Sequence, residues 1–488
     1  MLFNSVDFLI FFPIVVLGYF IVPEKIKNIW LLIASYYFYM SWQPVYALLI
    51  FFSTATTYAA AYLISRAKEQ KVKRLCLVIN LVINLAILFY FKYFNFFIEI
   101  VTSVIPSLHL AKRNDLLAVV GISFYTLQSL GYTIDVYRGT VQREKSFLRY
   151  ALFVSFFPQL VAGPIERSRN LLPQLRQSYR FDYDRVTDGL VMMAWGYFKK
   201  VAIADSARVI VDIVYSGNRM FDGTSLLFAT ILFAFQIYGD FSGYSDIAIG
   251  AAKVLGIKLM KNFDRPYSSR SFSEFWSRWH ISLSSWFEDY IFRPIVWNSR
   301  NKTLASYLAI ILVFFISGLW HGASWNYVVW GLIHAVFRLA EMLLKKPKRK
   351  LYRKIGIDTK SSILHALQTV KVFLRVCFTY IFFRSSSLSQ AFRIVRSIFT
   401  DTHLLRVLDS TYLTSLMTQT GFLTNNGPAI LVCIVLMLLV ERFLGCYTLP
   451  EKINTLKAPV RWLFYYRIVL LLLFFGNFGQ SRFIYFQF

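Results

Sequence analysis

The chain has 488 residues, of which 57% are hydrophobic and only 16% charged, and its formal net charge is +27. A soluble chain carries roughly 25% charged residues, so the three soluble domains that length alone suggests are excluded. One large helical membrane domain spanning residues 1–488 is expected instead. Stretches apolar enough to cross a bilayer, at about 17–25 residues each, fall near 7–22, 28–42, 45–64, 75–91, 117–137, 187–215, 225–256, 303–320, 325–344, 362–384, 428–446 and 462–477. Some are short or interrupted, so about eleven or twelve spans are expected. The first starts at residue 7 with no basic n-region and no small-residue cleavage site, which reads as a retained span. Between the fifth and sixth, 146–165 is apolar but holds Pro158, Gly163 and Pro164, the pattern of a re-entrant or broken segment buried in protein.

The basic residues have a location. Arg66, Lys68, Lys71, Lys73 and Arg74 lie between two spans; Lys345, Lys346, Lys348, Arg349, Lys350, Arg353 and Lys354 lie between two others. Short basic loops at span ends mark the cytoplasmic face. That parity puts the N-terminus outside and 257–302 inside, and with twelve spans the C-terminus is also outside. The basic loops at 138–145 and 167–185 fall inside by the same count. Anionic phospholipid headgroups account for such a charge; nucleic acid is not needed. Cys76, Cys377, Cys433 and Cys446 are scattered without a C-x-x-C pair, so neither a metal site nor a disulfide framework is indicated.

Within the cytoplasmic stretch, Trp276, His280, Leu283, Phe287 and Tyr290 recur in helical steps of 4, 3, 4 and 3. The spacing predicts one amphipathic helix over 272–291 with His280 on its apolar stripe. Six histidines exist. His109 and His403 sit in polar connections and His365 at the start of a span. The other three lie in apolar surroundings, where a titratable group is costly and marks a functional-site hypothesis. His321, in Ser317-Gly318-Leu319-Trp320-His321-Gly322-Ala323-Ser324-Trp325, sits at an expected break between spans. An imidazole there can act as general base towards a hydroxyl, or can brace the break through backbone carbonyls. His280 is either a second functional imidazole or an interfacial anchor. His334 is thirteen residues beyond His321, about 220° around a continuous helix, so the two would not share a face, and it reads as structural.

One acidic cluster stands inside an apolar run, Tyr238-Gly239-Asp240-Phe241-Ser242-Gly243-Tyr244-Ser245-Asp246. Asp240 and Tyr244 share a helical face and Asp246 lies about 120° further round. Asp240, Ser242, Tyr244 and Asp246 either line a polar substrate tunnel or form a polar packing seam in which glycines let helices approach. No serine-hydrolase elbow, zinc motif, P-loop or dinucleotide fingerprint is present.

The segments Phe275-Trp276-Ser277-Arg278-Trp279-His280-Ile281-Ser282-Leu283-Ser284 and, forty-one residues after His280, Trp320-His321-Gly322 resemble the two histidine motifs of the membrane-bound O-acyltransferase superfamily. Further segments look like its bacterial polysaccharide O-acetylation branch, among them Gly121-Ile122-Ser123-Phe124-Tyr125, Phe157-Pro158-Gln159-Leu160-Val161-Ala162-Gly163-Pro164 and Asp240-Phe241-Ser242-Gly243-Tyr244-Ser245-Asp246. The resemblance runs the length of the chain. It implies an all-α ring of membrane helices with re-entrant and amphipathic pieces. It also implies an O-acyltransferase, passing an acyl group, usually acetyl, from a cytoplasmic thioester such as acetyl-CoA to an extracytoplasmic glycan. His321 matches the family's catalytic histidine, as base or as a nucleophile that transiently carries the acyl group, and His280 its second, more variable position. Trp276, Arg278, Trp279 and Trp320 would line the approach, and Arg278, Lys261 and Arg265 are cations near the donor's expected route. No bound cofactor or metal is implied. An extracytoplasmic SGNH-type partner completes transfer in exopolysaccharide systems. D-alanyl transfer to teichoic acid from a carrier-protein thioester is the cousin activity, and an acyl transporter or channel is the rival from another class.

Overall fold

The computed structural model describes residues 1–108, 110–113, 119–217, 219–445 and 447–478; His109 and Cys446 lie outside these. Every regular element among them is helical. Eight helices are long and apolar enough to cross a membrane: Val45–Arg66, Gln70–Val104, Gly223–Val254, Lys302–His321, Trp325–Lys354, Ser362–Arg384, Gly427–Leu444 and Ala458–Phe475. The other expected spans form helices too, but shorter or interrupted ones. Val6–Ile21 has 16 residues, Lys27–Met40 has 14 and Ile122–Arg138 has 17. The run at 187–215 is broken by a π-turn at Phe198–Ala204. The protein is a multi-pass membrane protein.

The Cα packing divides the chain into two compact units, the first made of Met1–Ala194 and Tyr244–Lys261, the second of Trp195–Gly243 and the described residues from Asn262 onward. The first unit is built on α1 (Val6–Ile21), α2 (Lys27–Met40), α3 (Val45–Arg66), α4 (Gln70–Leu88), α5 (Ile122–Arg138) and most of α6 (Tyr183–Tyr197). Some of its buried polar groups pair within the fold. Ser53 donates to Asn84 at 2.7 Å, and the Tyr150 hydroxyl donates to Thr57 at 2.8 Å. The segment expected to be broken is so. Helix Phe147–Ser155 stops before Pro158, a four-residue turn follows, and residues 150–165 are buried almost without exception. Side chains meet the carbonyls that the break frees: Gln128 and Gln159 both donate to the Phe153 oxygen, at 2.6 and 2.9 Å.

The second unit takes the first two thirds of the long helix α7 (Gly223–Val254), then α8 (Phe272–Arg278), α9 (Ile281–Phe287), α10 (Lys302–His321), α11 (Trp325–Lys354), α12 (Ser362–Arg384), α13 (Gly427–Leu444) and α14 (Ala458–Phe475). α10 and α11 form a tight hairpin. A Cβ on Gly318 would clash with the Tyr327 carbonyl, and one on Gly331 with the Phe314 carbonyl. Small residues at a crossing let backbones approach in this way, which is how helices associate without a hydrophobic driving force in lipid.

Candidate active site

The turn of that hairpin is short. α10 ends at His321, Gly322 is extended and donates back to Gly318, and Ser324 caps α11 by accepting from the Asn326 N–H. The expected break is therefore present, and His321 is its last helical residue. Its ring is 3% exposed and sits in an aromatic collar. Ring centroids lie 4.8 Å away at Trp330, 5.0 Å at Trp320 and 5.3 Å at Phe383.

The amphipathic helix expected over 272–291 is corrected by the structure. α8 stops at Arg278, α9 starts at Ile281, and His280 between them has φ 44° and ψ 54°. A non-glycine residue in this left-handed region is strained, and persists only where its surroundings over-determine it. Here the preceding segment does so. Ile281 N–H donates to the Asn262 carbonyl at 2.9 Å, and Asp264 N–H donates to the Arg278 carbonyl at 2.9 Å. The Asn262 side-chain oxygen accepts from the Ser282 N–H at 3.3 Å and the Ser282 hydroxyl at 2.9 Å. A regular 3.6-residue pattern cannot foretell this, because tertiary hydrogen bonds break the helix.

His280 is fully buried, and its Nδ1 lies 3.1 Å from the Asn262 oxygen. The Ser282 N–H identifies that amide atom as the acceptor, so Nδ1 donates and Nε2 keeps the lone pair. Burial pushes the imidazole down to about 3, so it is neutral. Its ring packs 4.6 Å from Phe241 and 5.7 Å from Trp320, whose neighbour is His321. One tryptophan thus separates the two imidazoles.

The other expected residues divide. Trp279 is buried against Phe275 at 5.6 Å and Phe263 at 5.0 Å. Trp276 turns away from His280 and packs on Trp330 at 6.0 Å and His334 at 5.0 Å. Arg278 is engaged by Glu274 at 2.7 Å and the Ser268 hydroxyl at 2.7 Å, and Arg265 by Asp264 at 3.1 Å. Asp240 meets Lys200 at 2.7 Å, and Lys200 meets Asp205 at 2.6 Å, with all three side chains at most 5% exposed. Ser242 is buried in the same unit. Gly239 and Gly243 lie against the backbone of residues 196–200, leaving no room for a Cβ. This stretch of α7 is a packing seam with a buried charge triad. In the first unit, Tyr244 stacks on Phe3 at 4.4 Å and Asp246 is half-buried.

Three sets of partners went unread in the sequence. Asn262 stood in a polar connection and Ser282 within the expected helix over 272–291, with nothing to mark them as a pair. Lys200 and Asp205 stood as charges inside an apolar run, which was the signal. The third is Glu166, 2% exposed in the first unit, which accepts from the Met260 N–H; burial pushes its carboxyl up to about 7 against the backbone bonds. His321 and His334 stand on the two arms of the hairpin, and Trp330 contacts both, 4.8 Å from His321 and 4.7 Å from His334.

Two buried imidazoles thus stand at helix breaks in a multi-pass membrane protein whose described elements are all helical. The model of the membrane-bound O-acyltransferase family matches residues 141–351, a stretch that includes both His280 and His321. The chain belongs to the membrane-bound O-acyltransferase family and is an O-acyltransferase. It is 34% identical to the probable alginate O-acetylase AlgI of Pseudomonas aeruginosa over 464 residues, 94% of this chain and 84% of that protein. It is also 34% identical to the peptidoglycan O-acetyltransferase of Helicobacter pylori over 432 residues, 81% and 79% of the two chains. The teichoic acid D-alanyltransferase of Bacillus subtilis is more distant, 28% identical over 281 residues, 55% of this chain and 69% of that one.

Proposed function

We propose that this chain passes an acetyl group from a cytoplasmic thioester, acetyl-CoA or an acylated carrier protein, for O-acetylation of an extracytoplasmic polysaccharide or cell-wall glycan, with His321 at the reacting centre. The observation that carries this reading is the buried His321 imidazole at the α10–α11 break, one tryptophan ring from the buried neutral imidazole of His280. A thioester is already activated. The protein must supply a base that takes the acceptor's proton while the hydroxyl oxygen attacks the carbonyl carbon and the thiolate leaves. His321 fills that role, and the neutral His280 lines the approach from the cytoplasmic segment. Relatives named for O-acetylation match most of the chain, whereas the D-alanyl relative matches about half of it. That balance favours acetyl over D-alanyl. An SGNH-type extracytoplasmic protein is the expected partner that completes transfer to the glycan.

The test is acetyl transfer by the full chain in proteoliposomes, supplied with labelled acetyl-CoA and a glycan oligosaccharide. His321→Ala is expected to lower the rate by about 10²–10⁴-fold, the range for a lost general base. Undiminished transfer by that variant sinks the role of His321, and preference for a D-alanyl carrier thioester sinks the acetyl assignment.

A further inference from the structure

A second polar cluster lies behind His321 and has no part in the mechanism above. His334, on α11, is 1% exposed, and Trp330 is 2% exposed. Both ring nitrogens of His334, and the indole nitrogens of Trp330 and Trp276, have no hydrogen-bond partner among the described residues. The rings touch: Trp330 to His334 at 4.7 Å, Trp276 to His334 at 5.0 Å, and Trp276 to Trp330 at 6.0 Å. Phe314 stacks on His334 at 5.9 Å and Phe272 lies 5.5 Å away. Apolar packing alone would be served better by phenylalanine at this position, because a buried polar atom is ordinarily hydrogen-bonded. Two N–H donors and an imidazole, buried on rings in mutual contact, are partners that a small hydrogen-bonding molecule needs.

Its place along the helix gives the cluster a direction. His321 lies 4.8 Å from one side of Trp330, and His334 touches the same ring. From His334, the residues at helical steps of 4, 7 and 11 on α11 are Arg338, Glu341 and Lys345, leading roughly 16 Å to the basic cytoplasmic end. Glu341 accepts from the Phe272 and Ser273 N–H groups at 3.1 and 2.9 Å and so ties α8 to this face.

We propose that His334, with the indole N–H groups of Trp330 and Trp276, holds ordered water behind His321, and that His334 is a positioning residue through which the proton taken by His321 leaves towards the cytoplasm. This rests on the base role given to His321 above. The balance is closed. The acceptor O–H gives its proton to His321, the O–C bond forms as C–S breaks, the thiolate is protonated at the cytoplasmic face, and the proton on His321 passes through water and His334 to the same face. The charged and titratable groups on the surrounding elements are Arg338 and Glu341 on α11, Glu274 and Arg278 on α8, His321 on α10 and Arg375 on α12. Of these, Glu341 is held by two backbone N–H groups and Arg338 at 3.4 Å, and Glu274 by Arg278.

The experiment uses the full chain in proteoliposomes with labelled acetyl-CoA. His334→Phe keeps the ring and removes both nitrogens without stripping any residue of a hydrogen bond. It is expected to keep the thermal midpoint at or above that of the unsubstituted protein. Its kcat is expected to fall about tenfold or more while the thioester KM stays within about twofold. His334→Ala, assayed with added imidazole, is expected to recover about fivefold or more of the lost rate, which packing loss would not allow. Unchanged kcat in His334→Phe overturns the proposal. If that variant does not fold, absence of imidazole rescue in His334→Ala overturns it instead. A His321→Ala protein that still transfers acetyl breaks the underlying mechanism. Full activity in His334→Phe alongside an inactive His321→Ala breaks only this inference.

Discussion

The second unit buries two polar clusters and treats them in opposite ways. In one, Lys200 sits between Asp205 and Asp240 at 2.6 and 2.7 Å, where the π-turn meets α7. In the other, His334, Trp330 and Trp276 present four ring nitrogens with no protein partner among the described residues. Both sit in apolar surroundings where an unsatisfied polar group is expensive. The first has resolved that expense by pairing, and its glycines press α7 against the neighbouring backbone, so it serves architecture. The second lies one ring from the His321 imidazole and is left available. Charge inside the protein is therefore a weak indicator of chemistry; whether the partners are internal to the fold is a stronger one.

The comparison can be broken most forcefully at Lys200. Lys200→Met leaves two carboxylates buried together, and removal of one member of a buried ion pair costs about 3–5 kcal/mol. Most of the protein is expected to be lost from the folded fraction in detergent, as read by size-exclusion chromatography. The triple variant Lys200→Met, Asp205→Asn, Asp240→Asn should recover much of it. Recovery of the fold with no recovery of acetyl transfer would show that the triad also serves the reaction.

His280 comes next, because it joins both behaviours: a strained backbone held by the fold and an imidazole facing the site. Asparagine tolerates the left-handed conformation, so His280→Asn is expected to keep the thermal midpoint nearly unchanged. His280→Val adds a β-branched side chain at φ 44° and should lose about 1–3 kcal/mol. Equal stability of the two variants would remove backbone strain from the account. Asn262→Leu leaves the Ser282 N–H and hydroxyl without their acceptor, and is expected to lower stability by about 1–3 kcal/mol.

The smallest effects are in pH, and their signs oppose. His280 is held neutral with its value pushed down to about 3, so the unfolded state binds the extra proton. Its contribution is complete above the ordinary histidine value of about 6.5 and is lost as pH falls from there towards 3. Glu166 is pushed up to about 7, so the folded state holds the extra proton. Its contribution is complete below the ordinary value of about 4.3 and is lost as pH rises through 7. Thermal midpoints between pH 5 and 8 should therefore lose their alkaline decline in Glu166→Gln and their acid decline in His280→Asn. A Glu166→Gln profile that still declines on the alkaline side would remove Glu166 from the explanation.

Much of this was legible in the residues. The apolar stretches became helices, the Pro158 region broke as expected, and Gly318, Gly322 and Ser324 announced the turn that places His321. What escaped had one cause. The period that put His280 on a continuous apolar stripe reads only local backbone, and Asn262, eighteen residues earlier, overrides it. A helical wheel carries no information across the break at His321, and the hairpin brings both imidazoles to the same indole. For Asp240 the residues left tunnel and packing seam equally open, because its partner Lys200 is forty residues away in sequence.

The sequence by itself determined a multi-pass helical membrane protein with three histidines in apolar surroundings, because composition and hydropathy are properties of the chain read in order; the acyltransferase reading came from its resemblance to a family. Which polar groups are paired, which backbone is strained and which nitrogens remain open to a substrate or water were decided only by the tertiary structure. The reason is physical: a buried hydrogen bond or ion pair depends on distances of about 3 Å between atoms that the chain order leaves far apart.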